Sequence, residues 1–481
     1  MKKLFGFCLS LLALFSLSAC GDQASSSSSS VNNKLQTPTN VAISEANIAT
    51  WDSVENAAKY RLNIVSESAG ETKRVVDTNQ ADLNTFSLAY GKYTLYVQAV
   101  ADKTSTYKDS DYSETGIKFE LVEEIETVQT LAGTEVLNDE YVKWLGRTSF
   151  DEEKGLNLIY HSGSSFEVKF KGQKVTAELF ATNSLDKSKR PYIVIIVDND
   201  YENRVRLGLE AQYTTLDIAS FAANDGQVHT VAVYKSSEST DSHMGLKSLT
   251  TDGTFIKGVE YKERSIEFIA ASSSTGYGNL TTSSVTKTSE NSDCMQAFSY
   301  YTASALNADM SIYSASGWGV AFSNWTTPKS ASAFEAYRYI DFSYYLKKNE
   351  NMLWDISKFT PDVIVINFGT NDWSYIRTGA DQAAKDALME QFICTYVDYL
   401  AYLHNIYPNA HILMMYGLMG EKDIYAASVE IYNRAVVNNP GLGIIQVVGD
   451  AKGSNSHPSV ASHKAVSEDL IAKIKEMTGW N

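Results

Sequence analysis

From about residue 262 to the C-terminus, short apolar runs alternate with longer stretches of helical period, and this alternation limits the possible fold more than any other feature. Ser265-Ile266-Glu267-Phe268-Ile269-Ala270, Val363-Ile364-Val365-Ile366-Asn367-Phe368 and Ala410-His411-Ile412-Leu413-Met414-Met415 read as strands. Asp293 to Asn307 reads as a helix. Asp381 to His404 reads as a long one, with Leu388, Phe392, Tyr396, Leu400 and Leu403 on one face. Strands apolar throughout are buried on both faces, so the expected architecture is a parallel sheet covered by helices on each side. Active sites in such sheets gather at the carboxyl ends of the strands.

The preceding half is β-rich. Residues 125–258 carry Phe166-Glu167-Val168-Lys169-Phe170 and Lys174 to Phe180, which alternate, and Tyr192 to Val197, which is apolar throughout; His229 to Lys235 closes the set. Many short strands with turns between them predict a jelly roll or sandwich. Asp198-Asn199-Asp200 reads as a hairpin tip, with a calcium site as the sharper alternative. Residues 37–122 read as a smaller all-β module, with alternation over Tyr60–Val65 and Tyr93–Val100 and Trp51 as its buried anchor. A spacer is the expected role of this module, with carbohydrate binding as the alternative.

The first residues are an address. Lys2 and Lys3 precede the apolar run Leu4–Phe15, which is too short to span a bilayer comfortably. The run ends in Leu17-Ser18-Ala19-Cys20, which resembles a bacterial lipobox. That resemblance implies a signal peptide over 1–20, a lipid on Cys20 and an exported protein held at the cell envelope by its lipid. Residues 21–36, with the run Ser25–Ser30, read as a linker. The formal charge of −16, from 41 basic and 57 acidic residues, opposes phosphate backbones and anionic membrane surfaces, so nucleic acid is not an expected partner. Cys294 and Cys394 are expected as buried free thiols, a disulfide being the alternative, and no Cys/His spacing suggests a metal site.

Three loops at strand ends carry chemistry. Ser272 follows the first strand and enters Ser273-Ser274-Thr275-Gly276-Tyr277-Gly278-Asn279, where a hydroxyl can be exposed beside a helix N-terminus. Gly369-Thr370-Asn371-Asp372 follows the second strand, so that the Asn371 amide can face a developing oxyanion. Ser456-His457-Pro458-Ser459 precedes the last helix and offers a base. Nucleophile, oxyanion donor and base in this order fit acyl transfer. His463 reads as a helix-surface residue, His404 and His411 as structural.

These blocks resemble the SGNH (GDSL-type) hydrolases. With the jelly-roll-like region before them, residues from about 125 to the end are similar to family 2 carbohydrate esterases, and residues 37–122 look like a fibronectin type III sandwich. The resemblance implies that residues 262–481 are an SGNH domain with Ser272 as nucleophile and His457 as base. In the block Ser316-Gly317-Trp318-Gly319-Val320, it makes Gly317 a backbone oxyanion donor, with Gly319 as the alternative, beside Asn371. It implies removal of acetyl groups from plant polysaccharides such as xylan or glucomannan through an acetyl-enzyme, without cofactor or metal, by a monomer. Tyr277, Trp318 and Trp373 lie beside the blocks and are candidates to stack on sugar rings, or else core.

Two departures from the family pattern stand out. Ala270-Ala271-Ser272 replaces the usual Gly-Asp-Ser, and Ser454 and Asn455 occupy the positions where an Asp usually precedes the base. Asn455 is therefore the candidate base-orienting side chain, a backbone carbonyl being the alternative that some family members are understood to use. Two other functional readings remain open: a carbohydrate-binding surface lipoprotein whose catalysis has lapsed, and an esterase acting on a bacterial envelope glycan.

Overall fold

The structure is a computed structural model that describes residues 33–122 and 127–481. The signal segment, Cys20 and most of the serine-rich linker lie outside the described residues. The chain divides into two units, at residues 1–126 and 127–481.

In the first unit, a three-stranded sheet (Ala42–Ile43, Ile48–Thr50, Gln80–Asp82) faces a four-stranded one (Ala57–Ser66, Gly70–Val76, Gly91–Ala101, Ile117–Leu121), all pairs antiparallel. Alternation turns Tyr60, Leu62 and Ile64 inward against Leu95 and Val97. Trp51 is buried between the sheets, its ring edge-on to Tyr60 at 5.3 Å.

The second unit begins with a sandwich of two six-stranded antiparallel sheets spanning residues 130–256. His229–Lys235 is not its last strand. Met244–Thr251 and Thr254–Ile256 follow and pair with Lys174–Ala181 and Ser165–Lys171. The apolar run Tyr192–Val197 has two partners. Ile193 and Ile195 enter the sandwich core, whereas Val194 and Ile196 pack against Cys294 and Met295 of the following domain.

That domain holds five parallel strands: β1 (Arg264–Ala270), β2 (Ala308–Ser314), β3 (Val363–Asn367), β4 (His411–Tyr416) and β5 (Leu442–Gln446), in the order β2-β1-β3-β4-β5. The sequence reading lacked β2 and β5. The polar residues of Ala308-Asp309-Met310-Ser311 and the Gly443 of Leu442-Gly443-Ile444 hide the strand pattern there. Helices α1 (Phe298–Ala305) and α5 (Val460–Thr478) cover one face, on Phe268, Val363 and Val365. Helices α2 (Thr370–Ile376), α3 (Gln382–Ile406) and α4 (Tyr425–Val436) cover the other, with Phe392, Tyr396 and Leu400 of α3 on Ile364 and Ile366. Asp381 caps α3 by accepting the Ala384 N–H. Cys294 and Cys394 are free thiols; Cys294 is buried, but Cys394 is exposed on α3, contrary to expectation. No helix of the described residues is long and apolar enough to cross a membrane.

Sandwich and α/β domain share buried charges. Lys143 of the sandwich pairs with Asp309 of β2 at 2.7 Å, both nearly inaccessible. Arg147 is fully buried between the rings of Tyr313 and Tyr337. It donates to the Tyr339 carbonyl at 2.6 Å and faces Glu267 of β1 at 3.6 Å. A buried ion pair adds little net stability, but removing one partner strands the other charge. Arg147→Ala is therefore expected to lower stability by about 3–5 kcal/mol, read from urea unfolding. A loss below about 1 kcal/mol, typical of an exposed pair, would contradict this role.

Candidate active site

β1 ends at Ala270, and Ala271 turns the chain into a single 3-10 turn over Ser272–Thr275. Asn371 stands in the first turn of α2, just after β3. The strand order reverses between β1 and β3, so both residues flank the switch point where open α/β sheets form a crevice.

Ser272 Oγ lies 2.7 Å from His457 Nε2. His457 follows a turn in which Asn455 and Ser456 adopt left-handed backbone, at φ 50° and 61°. The turn folds the Ser454 carbonyl back onto the histidine, so that its oxygen accepts from both His457 Nδ1–H and His457 N–H, each at 3.0 Å. With the ring hydrogen on Nδ1, the Nε2 lone pair faces the serine hydroxyl. The two loops approach this closely because residue 278 lacks a side chain. A Cβ on Gly278, at φ +54°, would come within 2.1 Å of Ser454 Cβ.

Burial holds the His457 pKa below its ordinary value, partly offset by the bond to Ser454. The ring is thus neutral near pH 7 and able to accept a proton. Asp450, the nearest preceding carboxylate, accepts from Ser459 N at 2.9 Å and Ser459 Oγ at 2.5 Å. It holds Ser459, the N-cap of the last helix, rather than the base.

A cavity of about 630 Å³ opens over Ser272, lined by Gly317 and Asn371. Gly319 N–H donates to Ser323 Oγ at 3.1 Å, whereas Gly317 N–H has no acceptor among the described residues. Gly317 is therefore the free donor. Its φ of +84°, and the Trp325 Cβ 2.9 Å from where a side chain would start, suit glycine alone. Asn371 gives one amide hydrogen to the Trp318 carbonyl at 2.7 Å, which leaves the second for the cavity. Asp372 accepts the N–H groups of Val320, Ala321 and Phe322 at 3.1, 2.8 and 3.0 Å, tying α2 to the loop that carries Gly317. A nucleophile, a base and converging N–H donors are the parts of an acyl-transfer site.

The structure thus brings together Ser272, His457, Gly317 and Asn371. Tyr277 also reaches the site, its ring stacked on His457 at 4.0 Å and forming part of the cavity wall. At four positions the structure decides against the sharper sequence reading. Trp318 is 2% exposed and packs on Phe342 and Tyr345, so its ring is core. Trp373 packs on the α/β core outside the cavity wall. The Asn455 side chain donates to Tyr277 Oη at 3.0 Å and does not touch the base, which the Ser454 carbonyl orients instead. His463 is buried rather than on the helix surface, its Nδ1 accepting the Phe298 N–H at 3.3 Å.

Sequence reading also missed Trp325, 70% exposed in the cavity wall. The signal for it was a tryptophan in the non-periodic stretch Asn324-Trp325-Thr326-Thr327-Pro328, where an apolar ring has no core to enter.

Comparison with known proteins places these features. Residues 144–257 match the family model for the N-terminal domain of carbohydrate esterase 2. The cellulase/esterase CelE of Acetivibrio thermocellus is 27% identical over 354 residues, covering 70% of this chain; the chain spans only 39% of that protein's length. An acetylxylan esterase / glucomannan deacetylase of Cellvibrio japonicus is 24% identical over 349 residues, covering 71% of this chain and 90% of that protein. The solved structure of a family two carbohydrate esterase from Clostridium thermocellum, in complex with cellohexaose, superposes with a TM-score of 0.60 at 25% identity. It covers 71% of this chain and the whole of that one.

Because desolvation outweighs the Ser454 bond, the His457 imidazole is expected to titrate below the ordinary histidine value of about 6.5. Histidine-resolved NMR titration checks this. A value above about 6.5 would mean that a negative charge, not a carbonyl, faces the ring.

Proposed function

We propose that residues 127–481 form a family 2 carbohydrate esterase, a serine esterase removing O-acetyl groups from plant polysaccharides such as xylan or glucomannan. The observation that carries this reading is the 2.7 Å contact between Ser272 Oγ and His457 Nε2 at the floor of an open cavity. His457 Nε2 takes the hydroxyl proton as Ser272 Oγ bonds to the acetyl carbonyl carbon. The carbonyl oxygen becomes an oxyanion, received by the N–H groups of Gly317 and Ser272 and by Asn371 Nδ2. The tetrahedral species collapses, the C–O bond to the sugar breaks, and His457 returns its proton to the sugar oxygen. Water then attacks the acetyl-enzyme with His457 again as base, releasing acetate and restoring Ser272.

The missing Asp does not leave the base unheld, since the Ser454 carbonyl fixes the tautomer. A carbonyl stabilises the imidazolium less than a carboxylate does, which acetyl esters tolerate better than amides because their leaving group is better. Three features support a polymeric carbohydrate as substrate. The cavity is open, the exposed Trp325 ring on its rim can stack on a sugar face, and the family 2 relatives include a complex with cellohexaose. A lipid on Cys20, the last residue of the signal-like segment 1–20, would place the enzyme outside the cell, where such polymers are met.

Acetate release from acetylated xylan and glucomannan tests the proposal. Ser272→Ala and His457→Ala should each lower kcat by about 10⁴-fold or more, and Asn371→Ala by about 10²- to 10³-fold. Trp325→Ala should raise KM on polymer and leave small aryl acetates unaffected. Wild-type turnover that survives Ser272→Ala would overturn the reading.

A further inference from the structure

The loop after the strand His229–Lys235 carries two carboxylates of the sandwich up behind Ser316, a residue of the cavity wall. Glu238 is 3% exposed. Its Oε1 pairs with Lys287 Nζ at 2.5 Å, and its Oε2 accepts the Ser316 N–H at 3.1 Å. Asp241 pairs with the same ammonium and accepts from Ser289 Oγ at 3.2 Å. Lys287 Nζ lies 5.6 Å from the centre of the Tyr277 ring, which stacks on His457. Burial opposes the charge on Lys287, yet the two carboxylates push its pKa up to about 12. Burial likewise opposes the charge on Glu238, and Lys287 holds its pKa below the ordinary value.

Ser316 immediately precedes Gly317, whose N–H faces the cavity. The loop that presents this donor is thus gripped from two sides: by Asp372 of α2 through residues 320–322, and by Glu238 of the sandwich through Ser316. A charged acceptor binds an N–H more strongly than a neutral one. A carboxylate this buried is tolerable only because Lys287 compensates it. Of the other contacts of the cluster, Lys287 approaches the Tyr277 ring that stacks on the base, and Asp241 is held by Ser289.

We propose that Glu238, held by Lys287, is a positioning residue of the oxyanion hole, so that the β-sandwich completes the catalytic site of the α/β domain. The proposal rests on the esterase reading above. Glu238 touches no reacting atom and acts through Ser316, whose own N–H it holds one residue before the Gly317 donor. Its loss should therefore weaken stabilisation of the oxyanion and leave binding of the ground-state ester intact.

The test measures kcat and KM of the full chain on an aryl acetate for wild type, Glu238→Ala, Glu238→Gln and Ser272→Ala, with thermal unfolding of each. Glu238→Ala is expected to lower kcat about 10- to 100-fold, less than outright loss of an oxyanion donor, with KM within about three-fold. Glu238→Gln, which keeps an oxygen for the Ser316 N–H but not its charge, should recover part of that loss and stay several-fold below wild type in kcat. A folded Glu238→Ala protein with wild-type kcat, or one whose loss lies wholly in KM, overturns the proposal while the esterase reading stands. Should Glu238→Ala not fold, Glu238→Gln decides. A kcat lowered several-fold at unchanged KM supports the role, and a wild-type kcat overturns it. Wild-type protein without Ser272-dependent turnover overturns the esterase reading, and the positioning role falls with it.

Discussion

The hydrogen bond between Ser272 Oγ and His457 Nε2 joins positions 185 residues apart, and much of the α/β domain serves to make it possible. The parallel sheet delivers Ser272 at the carboxyl end of β1, beside the switch point. The last helix fixes the loop before it through the Asp450–Ser459 contacts. Gly278 allows the two loops to touch, and left-handed backbone at Asn455 and Ser456 turns a carbonyl onto the far side of the ring. A base needs its tautomer fixed and its ring aimed. Here a peptide oxygen does both, so the chemistry rests on backbone conformation where a carboxylate might have served.

The sandwich and the α/β domain have grown into one body. Tyr192–Val197 is apolar at every position because one set of alternate residues fills the sandwich core and the other meets Cys294 and Met295. Arg147 and Lys143 are sandwich residues whose charges are answered by Glu267 and Asp309 of the parallel sheet. Charges this deeply buried are costly to separate, which favours a single relative placement of the two domains. A fixed placement is what lets a loop of one domain shape the active site of the other.

Much of this was legible in the sequence, for identifiable reasons. Apolar runs ending in small-residue loops report strands and their carboxyl ends, so Ser272, Asn371 and His457 could be placed on strand ends or loops before any coordinates. Strands with polar or glycine interruptions, such as Ala308–Ser314 and Leu442–Gln446, gave no such signal. Side-chain direction was the weaker inference. Trp318 and Trp373 neighbour the motifs in sequence, but Trp318 is buried in the core and Trp373 packs against it, whereas Trp325 reaches the cavity from a loop without periodicity. A backbone carbonyl was among the expected ways to orient the base, but which one could not be read, because a carbonyl is present at every residue. Only the turn at 454–456 selects Ser454 over Asn455.

The account's central claim is that Ser272 forms the covalent intermediate with a base held by a carbonyl alone. Acid quenching of the enzyme during turnover of an activated acetyl ester, followed by peptide mapping by mass spectrometry, tests this directly. The account predicts an acetyl group on the peptide containing Ser272, located on Ser272 rather than on Ser273 or Ser274. Turnover with the acetyl group on another residue, or with none trapped although deacylation is rate-limiting, would contradict it.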